Sequence, residues 1–214
     1  MRNKTIALIS MAAVFSLSAC IPVGGKDHYD FTKEQVIENL QNLEKTGFNI
    51  EFKAITEDDT VNGIIGAKDT FYWLRSDDEG VAVQQKEKEF ELYKYNPEFQ
   101  LFLYEKSVED DTKFEEYLDE IFAWLAYALD YDGQVKKVGP VTFIGRECTE
   151  YKYENVLSNF TTAKLEMTFY IDNDYGITLK ADVDATDDSG KSSDVDFEAT
   201  SFVFGDDVVM PEFA

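Results

Sequence analysis

The sequence has one histidine, two cysteines, four prolines and fewer than half as many basic as acidic residues, 20 Lys and Arg against 43 Asp and Glu. Each shortage excludes a class of chemistry. With His28 as its lone histidine, the chain cannot build an ordinary Ser-His-Asp or Cys-His arrangement. Zinc sites that need two or more histidines go with them, and no Cys-x-x-Cys pair is present. There is neither a P-loop nor a Gly-x-Ser-x-Gly elbow. So many carboxylates always include close pairs that could act as acid and base, yet spacing singles out none. Scarce Lys and Arg exclude nucleic acid, whose binding depends on cations meeting phosphates. No apolar run reaches the roughly 20 residues that cross a bilayer as a helix. The expectation is a chain with no metal, no bound cofactor and no catalytic residue.

The two cysteines have different surroundings. Residues 1–20 read MRNKTIALISMAAVFSLSAC. Arg2 and Lys4 form a basic start, Thr5 to Phe15 a short apolar stretch, and Leu17-Ser18-Ala19 leads to Cys20 through small residues. That order describes an export signal, expected over residues 1–19. Leu-Ser-Ala-Cys resembles the bacterial lipobox, in which the cysteine thiol is thioether-linked to diacylglycerol and a further acyl chain such as palmitate can be added. Cys20 is the expected lipidation site. At about 0.8 kcal/mol per buried CH₂, two or more chains give a stable anchor where one does not. The expected location is extracytoplasmic, lipid-anchored to a bacterial membrane at the cell surface or on its periplasmic face. Residues 20–29 are expected to be the lipidated cysteine and a tether. The eight residues from Ile21 to His28, with Pro22, Gly24 and Gly25, lack periodicity and reach about 28 Å when extended.

Removing Arg2 and Lys4 and no acid takes the formal charge from −23 to −25. Such a surface serves solubility and is repelled by anionic headgroups, so the acyl anchor must hold it. An aromatic fraction of 14%, with 17 Phe and 12 Tyr, is far too apolar for a disordered chain. Residues 30–214 suit one domain, expected as a monomer. With Cys20 acylated, Cys148 has no disulfide partner. Its neighbours Glu147 and Glu150 raise a thiol pKa, which favours a buried structural role over a reactive one.

Two segments carry helical spacing. Thr32 with Gln35 forms a capping box, Phe31 and Val36 a hydrophobic staple, and Gly47 is placed to end the first helix. Thr112 and Glu115 make a second capping box. Phe114, Tyr117, Leu118, Ile121, Phe122, Trp124, Leu125, Ala128 and Leu129 then fall within about 160° of arc. Most other segments alternate with period two. Phe48, Ile50, Phe52 and Ala54 point one way; Phe71 and Trp73 alternate with Tyr72 and Leu74; Phe99, Leu101 and Leu103 follow the Asn96-Pro97 turn. Short polar joints make hairpins, hence an antiparallel meander. The fold class expected is α+β: a large curved antiparallel sheet, a half-barrel, with two amphipathic helices on its concave face.

The succession Gly145-Arg146-Glu147-Cys148, Met167 to Asp172, Tyr175 to Lys180 and the tail Val209-Met210-Pro211-Glu212-Phe213 resembles the LolA-like lipoprotein-carrier superfamily. The run Lys68 to Tyr95, with Tyr72-Trp73 and Tyr93-Lys94-Tyr95, looks like that family's central hairpins. The resemblance implies an incomplete antiparallel barrel closed by helices around an apolar cavity for acyl chains or other hydrophobic ligands. It brings no catalytic signature. Trp73, Leu118, Phe122 and Leu125 are the candidate ligand-binding residues, against the plainer reading that such aromatics fill a core. The competing function is an envelope interaction or sensor lipoprotein with a filled core. A calcium reading of Asp182-x-Asp184-x-x-Asp187 fails, because the sixth and twelfth positions are Asp187 and Ser193 where an EF-hand needs Gly and Glu. Asn159-Phe160-Thr161 matches a glycosylation sequon with little meaning in a bacterial lipoprotein.

Overall fold

The computed structural model describes residues 27–214 except 88, 158–162 and 187–188. The leader, Cys20, the sequon and Asp187 lie outside the described residues.

Helix α1, Lys33–Leu43, begins as its sequence requires. The Thr32 amide donates to Gln35 Oε1 at 2.8 Å and the Gln35 amide to Thr32 Oγ1 at 3.3 Å, so both orphan donors are satisfied. Val36 and Leu40 are buried on one side. Past the helix end the Gly47 amide donates to the Leu43 carbonyl at 2.7 Å, with Gly47 at φ +85°, a left-handed turn that a side chain would strain.

The strands form two meanders. The first comprises β1 (Phe48–Thr56), β2 (Thr60–Lys68), β3 (Phe71–Ser76), β4 (Gly80–Gln85), β5 (Phe90–Asn96) and β6 (Leu101–Val108). Helix α2 (Asp111–Ala126) and a 3-10 turn (Tyr127–Tyr131) follow. The second meander comprises β7 (Lys136–Phe143), β8 (Arg146–Leu157), β9 (Ala163–Asp172), β10 (Thr178–Thr186) and β11 (Ser192–Phe204). All eleven belong to one open antiparallel sheet in the order β6-β5-β4-β3-β2-β1-β11-β10-β9-β8-β7, curved about the helices as an α+β half-barrel. The first and last strands therefore meet at its centre. There Glu51 pairs with Ser201 and Phe52 with Ala199, which leaves Thr200 as an extra residue in a bulge.

Three local expectations are corrected. The N-cap of α2 is Asp110, not Thr112: its Oδ1 accepts from the amides of Thr112 at 3.1 Å and Lys113 at 3.3 Å. A carboxylate at that position both caps and complements the positive helix end. Phe99 sits in the β5–β6 turn, 62% exposed, and Phe102 rather than Leu101 or Leu103 is the buried residue of β6. Residues 27–29, expected within the tether, pack on the domain. Asp27 donates its amide to Val135 at 3.1 Å and accepts the Lys137 amide at 2.7 Å; Tyr29 is buried edge-on against Tyr151. His28 and Asp132 pair at 2.9 Å, which raises the imidazole pKa through the hydrogen bond and the Asp132 charge and lowers that of the carboxyl. The N-terminal segment is thus held at the β7 edge.

Arg146, Asp172 and Tyr175, from three of the segments that carry the resemblance, meet in one place. Arg146 binds the fully buried Asp172 and reaches Asp174 at 2.7 Å. Asp172 also accepts the amides of Asp174 and Tyr175. The guanidinium lies 5.1–5.5 Å from the ring centres of Tyr175, Phe202 and Phe204. This cluster fixes the turn between β9 and β10.

Candidate functional site

Helix α2 runs across the strands on the concave side. At its start Phe114 meets Phe90 at 5.5 Å between ring centres. Midway, Phe122 lies 6.2 Å from Phe48 and 6.0 Å from Tyr72. Near its end Trp124 stacks on Phe197 at 5.5 Å and 8°, and the 3-10 turn continues the line with Tyr131 4.9 Å from Tyr153. Leu118, Phe122 and Leu125, three of the four candidate ligand residues, are buried together in this layer. The space between α2 and the sheet is filled by these side chains. Cys148 is buried elsewhere, beside Arg146 and Asp172, and burial, helped by the Asp172 charge, pushes its thiol up to about 11.

The fourth candidate is elsewhere. Tyr72 faces the helix, so Trp73 faces away, and its ring is completely buried on the convex side with Ala82, Tyr93, Phe102 and Val208. Gly66 makes room: a Cβ there would stand 2.5 Å from the Trp73 ring. The cover of this second cluster is the C-terminal tail. After a 3-10 turn at Gly205–Asp207, Asn49 Nδ2 donates to the Val209 carbonyl at 3.0 Å. Phe213 then packs on Phe71, Tyr93 and Phe102 at 4.6–5.4 Å. The Phe102 amide donates to Glu212 O at 2.8 Å and the Ala214 amide to Phe102 O at 2.9 Å, so the tail also pairs with the free edge of β6.

One row of concave residues leads out from under α2. Register places Ile50 beside Ile65, Leu74, Val81, Lys94 and Leu103 in turn. Ile50 and Ile65 are fully buried, Leu74 and Val81 partly so, and Leu103 is 37% exposed.

The convex face also holds a hollow of about 430 Å³ beside the Trp73 cluster, at the central bulge. Glu51, Asn62, Ile64, Arg75 and Tyr95 line it, with Asp77, Gln100 and Thr200 around them. The sequence offered no sign of it, since its residues come from five separate segments in no motif. Among the described residues no group of three or more His, Cys, Asp or Glu is placed to hold a metal ion, and no helix is long and apolar enough to cross a membrane.

No family model matches the chain, and no curated protein matches it in sequence. Among solved structures it is similar to LprF from Mycobacterium bovis, at 11% identity over 84% of this chain and 96% of that one, with a TM-score of 0.41. It is similar to an uncharacterized conserved protein from Thermus thermophilus, at 11% identity over 85% and 97%, TM-score 0.38. MucB gives 10% identity over 83% of this chain and 60% of its own, TM-score 0.40. At these identities and scores none of them assigns a ligand to this chain.

Proposed function

We propose that this chain is a monomeric, non-enzymatic lipoprotein of a bacterial envelope, anchored through acylated Cys20, that takes up an acyl chain or similar apolar ligand between α2 and the concave sheet. The carrying observation is the row from half-buried Val81 and Leu74 to fully buried Ile65 and Ile50, with Lys94, ion-paired to Glu105, standing between it and exposed Leu103. It leads an apolar chain inward from Val81, past the Lys94–Glu105 ion pair at its mouth. Leu118, Phe122 and Leu125 fill the layer, so a ligand enters by replacing their contacts as α2 lifts. The resemblance to lipoprotein carriers points the same way, while an anchored protein is a stationary receptor rather than a shuttle.

A second reading is favoured by the closure of that same layer. If its aromatic packing is permanent, the protein is a surface interaction or sensor module whose interior only supports the fold.

Extraction of the purified full-length protein with organic solvent, followed by mass spectrometry, separates the two. Apolar-ligand binding predicts a non-covalent acyl lipid in addition to the mass attached to Cys20, and its loss in Leu118→Trp, which crowds the layer. Recovery of no such lipid from the wild-type protein leaves the second reading. The anchor is tested separately: Cys20→Ser should free the protein from membranes and abolish the diacylglycerol-derived mass.

A further inference from the structure

We infer that the hollow on the convex face binds a small polyhydroxylated ligand, a sugar of one or two rings. This site is independent of the apolar layer on the other side of the sheet and goes beyond the reading above.

The walls decide the chemistry. Arg75 lies over the Tyr95 ring at 5.3 Å and makes no ion pair with any described residue, although the chain has a large excess of carboxylates. It therefore presents free guanidinium donors to the cavity. Asn62 and Gln100 add groups that both donate and accept; Glu51 and Asp77 accept only, and Thr200 does either. The Asn62 amide donates to Asp77 Oδ2 at 3.3 Å, which holds that carboxylate at the wall. Ile64 and Tyr95 are the large apolar contributions besides Phe52.

Other ligand classes fit worse. An acyl chain would meet mostly polar, solvent-exposed walls, with only Ile64, Tyr95 and Phe52 as large apolar partners. An anion would meet Glu51 and Asp77 on a strongly negative protein, and a cation would meet Arg75. A neutral polyol avoids both repulsions, because each hydroxyl donates to carboxylates and accepts from the guanidinium and amides. Ile64 offers an apolar contact for the C–H side of a sugar. A volume of about 430 Å³ lies near the low end of ligand pockets, about 300–1,000 Å³, which suits one or two rings rather than a long glycan.

The position is favourable as well. The hollow sits at the central bulge, where extra Thr200 interrupts the β1–β11 pairing, and bulges re-aim side chains next to functional sites.

The test is a titration of ¹⁵N-labelled full-length protein with chitobiose and, separately, maltose, followed by amide shifts. At least one disaccharide should give saturable shifts at Asn62, Gly63, Arg75 and Gln100, weakened tenfold or more in both Arg75→Ala and Asn62→Ala. Both positions are on the sheet surface, so the remaining spectrum serves as a check that each variant is folded. Three results would overturn the proposal: no shift at these residues with either sugar, equal affinity in Arg75→Ala, or shifts there with citrate or phosphate but with neither disaccharide.

Discussion

The two faces of the central sheet are both aromatic and both covered, but by covers of different kinds. On the concave face the cover is α2, 16 residues long, whose own periodicity announces that it must lie on something apolar. On the convex face the cover is an extended tail that puts Val208 and Phe213 onto the Trp73 cluster and pairs with the β6 edge. A helix satisfies its own backbone and can be shifted as a unit. A strap depends on what it lies across, because its backbone bonds are borrowed from its host. The comparison assigns the larger share of stability to the concave layer and a local, separable role to the tail.

The sharpest way to break that comparison is Phe122→Ala. A fully buried phenylalanine replaced by alanine costs about 3–5 kcal/mol, a fall in Tm on the order of 10 °C at about 2–4 °C per kcal/mol for a domain of this size. Calorimetry checks it. A loss below about 1 kcal/mol would mean that α2 lies on a loose or already vacated layer, and would favour its role as a movable cover.

Much of the concave face was legible because helix and strand periods differ. The nine apolar positions from Phe114 to Leu129 are buried or half-buried, and Glu115, Glu116, Asp119 and Glu120 are exposed. Phe48, Ile50, Phe52 and Ala54 share one buried face. The convex face was harder, since alternation gives two phases without saying which one meets the helix. Phe71 and Trp73 alternate with Tyr72 and Leu74, and both phases are covered. Grouping Trp73 with Leu118, Phe122 and Leu125 followed from that ambiguity. Long-range register separates them, and no local spacing encodes it. The hollow by Arg75 was illegible for the same reason.

Phe213→Ala tests the strap, with a smaller expected effect. The ring is only partly buried, so the expected loss is about 1–2 kcal/mol, below the roughly 1.5–3 for full burial of such a side chain. Emission from Trp73, isolated by Trp124→Phe, should move to longer wavelength as water reaches the convex cluster. An unchanged Trp73 spectrum would show that the tail is not its cover and that the two faces are less alike than their packing indicates.

The smallest expected effect on stability probes how well the far end of the sheet, away from both covers, excludes water, through Cys148. Its sulfur is buried beside Arg146 and Asp172, and its pKa rises from 9.0 to about 11 through desolvation first and the Asp172 charge second. In the folded protein at pH 8 the thiolate, which is the reactive form, is therefore scarcer than in the unfolded chain. Because the folded pKa is the higher one, the preference for the protonated fold is complete below about 9 and is lost as pH rises through about 11, so stability falls across that window. Iodoacetamide at pH 8 should leave the native protein unlabelled and add one carbamidomethyl group on unfolding, read by intact mass. Two groups on the unfolded mature chain would mean that Cys20 has kept its thiol. Rapid labelling of the native protein would mean that the β7–β8 end of the sheet opens readily, although neither α2 nor the tail has moved.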